Sequence, residues 1–158
     1  MELLLQAILA DDRAAVKKLL KGDPTLVTQG YAEAKLYQSQ IFHWMYVGDT
    51  ALHLAAAGYR VEIAKLLIAA GADPNAMKNH RWSGPLHYAA DGFITGPAYD
   101  AKQQVKMIAC LLEAGAAINA ADKNGATPLH RAVRTRSAAA VKHLLAAGAD
   151  PKLKNNSG

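Results

Sequence analysis

The chain has 158 residues, 51% apolar and 20% charged, a balance that excludes a chain too polar to bury a core and suits one compact unit. Its one cysteine, Cys110, excludes an internal disulfide and points to a reducing, cytoplasmic (intracellular) setting, and no run of eighteen or more apolar residues is there to cross a membrane. The net charge of +5 is uneven: eleven Lys and Arg face twelve acids up to Asp122, and seven basic residues face Asp150 alone from Lys123 onward.

The opening residues, MELLLQAILADD, are not a secretory leader, because the apolar run is short and Glu2 stands where a positive charge belongs. Two short helical patterns follow, Glu2 to Ala10 and Asp12 to Lys21, and Gly22, Asp23 and Pro24 end the second. Asp11 and Asp12 are adjacent and point apart on a helix, so they suit a helix N-terminus better than an acid/base pair.

Residues 28–49 read TQGYAEAKLYQSQIFHWMYVGD and hold half of the aromatics: Tyr31, Tyr37, Phe42, Trp44 and Tyr46. A connection this long is functional or disordered, and its composition argues against disorder. Phe42, Trp44 and Tyr46 either project for contact or fold back over the first helix pair.

Residues 50–74, TALHLAAAGYRVEIAKLLIAAGADP, open with Thr50 as an N-cap. Leu52, Ala55 and Ala56 form a narrow apolar stripe, the chain turns near Gly58 and Tyr59, and Ile63, Leu66, Leu67 and Ile68 give a broader face. Gly71 supplies a left-handed C-cap. The following KNHRWSG puts Arg81 and Trp82 on a turn, with Trp82 either exposed for contact or packed on a neighbouring turn.

The same wording returns at 84–118, GPLHYAADGFITGPAYDAKQQVKMIACLLEAGAAI, with about ten extra residues near 92–101. Phe93 and Tyr99 are candidate anchors for that insertion, which is either a second contact surface or a loop pinned by its own aromatics. Residues 127–151, TPLHRAVRTRSAAAVKHLLAAGADP, are the third copy. Pro128 sits at N1, where no donor is lost. The chain stops where a Gly before another TPLH would stand, which leads us to expect further repeats or end-to-end self-association.

Three copies with a period near 33 and this wording resemble the ankyrin repeat. The resemblance implies an all-α fold, a solenoid of stacked helix-turn-helix repeats with β-turn or hairpin fingers. On that reading residues 1–158 are one domain: a degenerate capping repeat at 1–27, a long aromatic finger at 28–49, and repeats at 50–81, 82–124 and 125–158. It also implies that His53, His87 and His130 hydrogen-bond within the TPLH turn and between repeats.

Geometry alone keeps those three histidines from sharing a metal, since equivalent positions in stacked repeats lie about a helix-packing distance apart. His43, His80 and His143 have no i,i+4 His or CxxC partner. Cys110 lies on an apolar helix face, and no GxSxG or phosphate loop occurs. We therefore expect no metal, no cofactor and no catalytic residue.

The expected function is a non-catalytic scaffold that binds another protein through a concave face and its fingers. Trp44, Tyr46, Arg81, Trp82, Tyr88, Arg131 and Arg134 are the candidate contacts, as aromatic and Arg side chains dominate interface energies. Two alternatives stand beside it. One is a regulatory or targeting segment of a longer protein. The other is a binder of nucleic acid or acidic surfaces through Arg131, Arg134, Arg136 and Lys142, against which the absence of aromatic residues among those charges speaks.

Overall fold

The computed structural model describes residues 1–37, 41, 43–92 and 99–158. Among these, eight α-helices run in chain order: α1 Glu2–Leu9, α2 Arg13–Gly22, α3 Ala51–Ala57, α4 Val61–Ala69, α5 Pro85–Ala90, α6 Ala101–Glu113, α7 Pro128–Arg134 and α8 Ala138–Ala146. A 3-10 turn, Pro24–Val27, follows α2, and two short strands, β1 Lys35–Tyr37 and β2 His43–Met45, precede α3. The helices pair as α1/α2, α3/α4, α5/α6 and α7/α8 and stack in two rows, α1-α3-α5-α7 and α2-α4-α6-α8. Each layer buries its sides against its neighbours, an all-α ankyrin-type solenoid.

Small residues set the spacing of the first row. Ala51, Ala55, Ala56, Ala89, Ala90 and Ala132 are fully buried, so neighbouring backbones approach closely. The second row supplies bulk, with Ile63, Leu67, Met107, Ile108, Leu111 and Leu144 fully buried. Each such aliphatic side chain contributes about 1.5–3 kcal/mol of burial.

The turn inside each of three pairs uses a left-handed residue that is not glycine: Asp11 (φ 54°), Tyr59 (φ 54°) and Arg136 (φ 57°). Gly58 beside Tyr59 keeps φ −93°, and Ile41 packs on it, its Cδ1 within 2.7 Å of where a Cβ would stand. Gly71, Gly115 and Gly148 take φ of 98°, 91° and 96° at the ends of second helices. Gly22 differs from that expectation. It stays inside α2, and extended Asp23 is the C-cap, so the first pair lacks a left-handed glycine exit.

TPLH works through its histidine. The Thr50 N–H donates to His53 Nδ1 (3.0 Å), the Gly84 N–H to His87 Nδ1 (3.1 Å) and the Thr127 N–H to His130 Nδ1 (3.2 Å). With Nδ1 accepting, Nε2 carries the proton. That of His53 donates to Ser83 O (2.9 Å) and that of His87 to Ala126 O (3.1 Å), each in the next finger. At Thr127 the hydroxyl also accepts from His130 N–H (3.4 Å), as an N-cap should. At Thr50 the hydroxyl lies 3.0 Å from His53 Nδ1, so imidazole serves there as the cap. Burial holds both His53 and His87 near pKa 4, hence neutral.

β1 and β2 form an antiparallel hairpin with Leu36 opposite Trp44, built from the long connection. Met45 is fully buried and fixes the hairpin on α3, while Tyr31 (6% exposed) is buried where the chain enters it and Ile41 (7%), between the two strands, is buried against the α3/α4 turn. Trp44 points outward at 50% exposure, so this aromatic does not fold back over the first pair. Phe42 and Phe93, with most of the insertion near 92–101, lie outside the described residues. Tyr99 anchors the end of that insertion, donating to Gln104 Oε1 (3.1 Å) and lying 3.2 Å from Ser137 Oγ.

Candidate functional site

A cavity of about 240 Å³ opens between the hairpin finger, the next finger and α5 with α7. Trp44, Tyr46, Arg81, Tyr88, Arg131 and Arg134 all line it. Residues up to ninety positions apart meet because the hairpin leans along the row of first helices, where α5 and α7 present equivalent faces.

Its aromatic wall belongs to the fingers. Tyr46 follows β2 and is held by its own N–H, which donates to Asp49 Oδ2 (2.7 Å). The Arg81 guanidinium lies over the Tyr46 ring, 5.2 Å from the centroid, and its Nη1 donates to Tyr46 Oη (3.2 Å). His80 stacks on the same ring at 6.3 Å. This rigid aromatic and guanidinium pairing is worth about 0.5–2 kcal/mol.

The floor comes from equivalent positions of α5 and α7. Tyr88 Oη donates to Asp49 Oδ2 (2.7 Å), and one repeat on, Arg131 Nη2 donates to Ser83 Oγ (3.2 Å). Asp49 and Ser83 both precede an N-cap, so the two bonds are one device used twice. Arg131 also binds Asp91 (3.0 Å) and, at shorter range, Asp122. Arg134 closes on Asp91 at 2.8 Å. Tyr88 is 3% exposed and Arg131 6%, which corrects the expectation that these two project toward a partner: their polar atoms tie repeats together beneath the surface.

The electrostatics follow from that burial. Asp49, fully buried, is pushed up to about 6, since desolvation outweighs its hydrogen bonds from Tyr46 and Tyr88. The Tyr88 hydroxyl, buried against that carboxylate, stays protonated. Asp122 is held below its usual value, because the Arg131 guanidinium and the N–H groups of Asn124 and Ala126 outweigh burial. His43 is lowered by burial, in spite of Asp91 with its Oδ2 3.9 Å away. Its ring lies 4.8 Å from that of Tyr88.

Trp82 stands apart. It is 62% exposed on the second finger at φ 53° and does not line the cavity. His43 and Asp91 do line it and were missed from sequence. Asp91 had a findable signal: it falls four residues after His87, the register of Arg134 four after His130, so stacking sets the two charges side by side.

The chemistry offered is recognition. Among the described residues no group of three or more His, Cys, Asp or Glu is placed to hold a metal ion. Burial raises the Cys110 thiol, which keeps it protonated. No described helix is long and apolar enough to cross a membrane.

Comparison with known proteins gives a consistent picture. Residues 47–79 match the family profile for the ankyrin repeat, and residues 111–158 match that for ankyrin repeats in many copies. The chain is 35% identical over 112 residues, 68% of its length, to the nuclear factor NF-kappa-B p105 subunit of Gallus gallus, covering 10% of that protein. It is 33% identical over 120 residues, 76% of its length, to the ankyrin repeat and KH domain-containing protein mask-1 of Caenorhabditis elegans, covering 4%. Against the human ankyrin repeat and SOCS box protein 6 the identity is 31% over 115 residues, 69% of the chain and 25% of that protein. The chain thus spans a quarter or less of the length of these relatives.

Proposed function

This chain belongs to the ankyrin-repeat family, and from that premise we propose that it is a non-catalytic protein-recognition module whose partner seats on the finger side of α5 and α7. Trp44, Tyr46, Arg81 and Arg134 make contact at the cavity, Trp82 adds an anchor beside it, and Tyr88 and Arg131 hold the floor rigid. The observation that carries this reading is the cavity itself, where aromatic and guanidinium side chains from four segments converge. Rigid aromatic walls lose little entropy on binding, so they convert contact area into affinity efficiently.

The partner supported is a protein over a nucleic acid, because two of the four cations of the basic reading, Arg131 and Arg134, are already bound to Asp91 or Asp122. In the relatives this kind of segment is a small share of a longer protein, which supports a regulatory or targeting role for it. The buried thiol of Cys110 suits an intracellular compartment. Self-association would use the groove of Leu129, Val133, Leu145 and Leu153; sedimentation velocity showing only monomer at high concentration would remove it.

The test is capture from source lysate on wild type beside a Trp44→Ala, Trp82→Ala double variant of unchanged circular dichroism. We expect the variant to lose the specific partners. Equal recovery of every partner by both proteins would defeat the site assignment.

A further inference from the structure

Two of the three guanidinium groups that line the cavity sit directly on carboxylates, and the third identifies what the cavity takes. Arg131 is matched by Asp122 beneath it and Arg134 by Asp91. Arg81 has no carboxylate within ion-pair distance among the described residues; its contacts are the hydroxyl and ring of Tyr46. Asp49, the other carboxylate nearby, is fully buried, accepts from Tyr46 N–H and Tyr88 Oη, and acts on Arg81 only through its field, without contact. His43 is lowered by burial and adds no charge at neutral pH.

Resting on the protein-recognition reading above, we infer that the cavity receives the carboxylate of an Asp or Glu side chain from an extended partner segment, with Arg81 as its ion-pair partner and Trp44 packing on the residue beside the acid. One guanidinium without a carboxylate in contact, on a half-buried wall, matches a monoanion. A phosphoryl group, carrying about two negative charges, would leave one unmatched beside Asp91. The cavity, about 240 Å³, has room for one such side chain. Trp44, half exposed where it lines the opening, gives the apolar contact that holds a flanking residue.

The experiment is selection of a random twelve-residue peptide display library on the wild-type protein and on Arg81→Gln, with Arg81→Lys as the charge-retaining second variant and thermal melting to confirm that each is folded. The inference predicts wild-type winners with Asp or Glu fixed at one position, and that preference absent from the Arg81→Gln winners and kept in part by Arg81→Lys. On a synthesised winner, Glu→Gln should weaken binding about tenfold to wild type and leave binding to Arg81→Gln unchanged. Winners without an acidic position, or a phosphoserine substitution that binds tenfold tighter than Glu, would overturn the carboxylate assignment and leave protein recognition standing. No enrichment above a bare support would overturn both.

Discussion

Tyr88 donates its phenolic hydrogen to Asp49 across a repeat boundary, at 2.7 Å and 39 residues apart in sequence. The bond ties α5 to the base of the hairpin finger and gives a buried carboxylate one of its two Oδ2 donors. Tyr88→Phe keeps the ring against His43 and His53 but removes that donor. We expect a stability loss of about 1.5–3 kcal/mol by urea denaturation, the worth of a hydrogen bond to a charged acceptor, with Tyr46 N–H still donating to the same oxygen. The Asp49 pKa should climb further above about 6, as carboxyl NMR would report.

Acid should loosen the fold by a calculable route. His53 and His87 titrate near 6.5 when unfolded and near 4 when folded, so their stability is lost as pH falls through that window. Asp49 works the other way, moving from 3.8 unfolded to about 6 folded, and favours the fold as pH falls through 6. Near pH 5 these three groups thus bind two protons in the unfolded chain where the fold binds one, and His43, also lowered by burial, adds in the same sense as the two histidines. Stability should drop by at least about 1.4 kcal/mol per pH unit there. Asp49→Asn removes the opposing group, and the slope in pH-dependent denaturation should steepen by up to about 1.4 kcal/mol per pH unit.

Arg131 and Arg134 share Asp91 but differ in burial, with side chains 7% and 58% exposed. Arg131→Met strands the carboxylate of Asp122 beneath the floor and should cost about 3–5 kcal/mol. Arg134→Ala should cost less than about 1 kcal/mol. Denaturation midpoints of the two variants separate these outcomes.

Arg136 occupies a left-handed turn position at φ 57° on the exposed side of the α7/α8 turn. Arg136→Gly relieves the Cβ clash and concedes some unfolded-state entropy, for a net gain of about 0.5 kcal/mol, while Arg136→Ala should be neutral. Thermal melting of the pair checks it.

The stacked helix pairs and the histidine caps were legible because each repeat writes them out locally: TPLH puts an acceptor nitrogen three residues after the N-cap, and the alanines and leucines fall at helical spacing. The site was legible in its parts. Trp44, Tyr46, Arg81 and Arg134 could be picked by residue type, but the depth of Tyr88 and Arg131 could not. Helical register alone cannot say whether the fourth residue of a first helix faces a partner or reaches back to the residue before the preceding N-cap. His43 escaped because its neighbours Asp91 and Tyr88 are far away in sequence and the hairpin that carries it has no counterpart in the other copies.

The side of the stack that a partner covers decides between a finger-side site and any other. Amide hydrogen exchange of the protein, free and with a partner recovered by capture, reads this directly. Protection should appear at residues 43–48, 80–82 and 131–135, with α4 and α6 unchanged. Protection confined to α4 and α6, with the fingers exchanging as in the free protein, would contradict it.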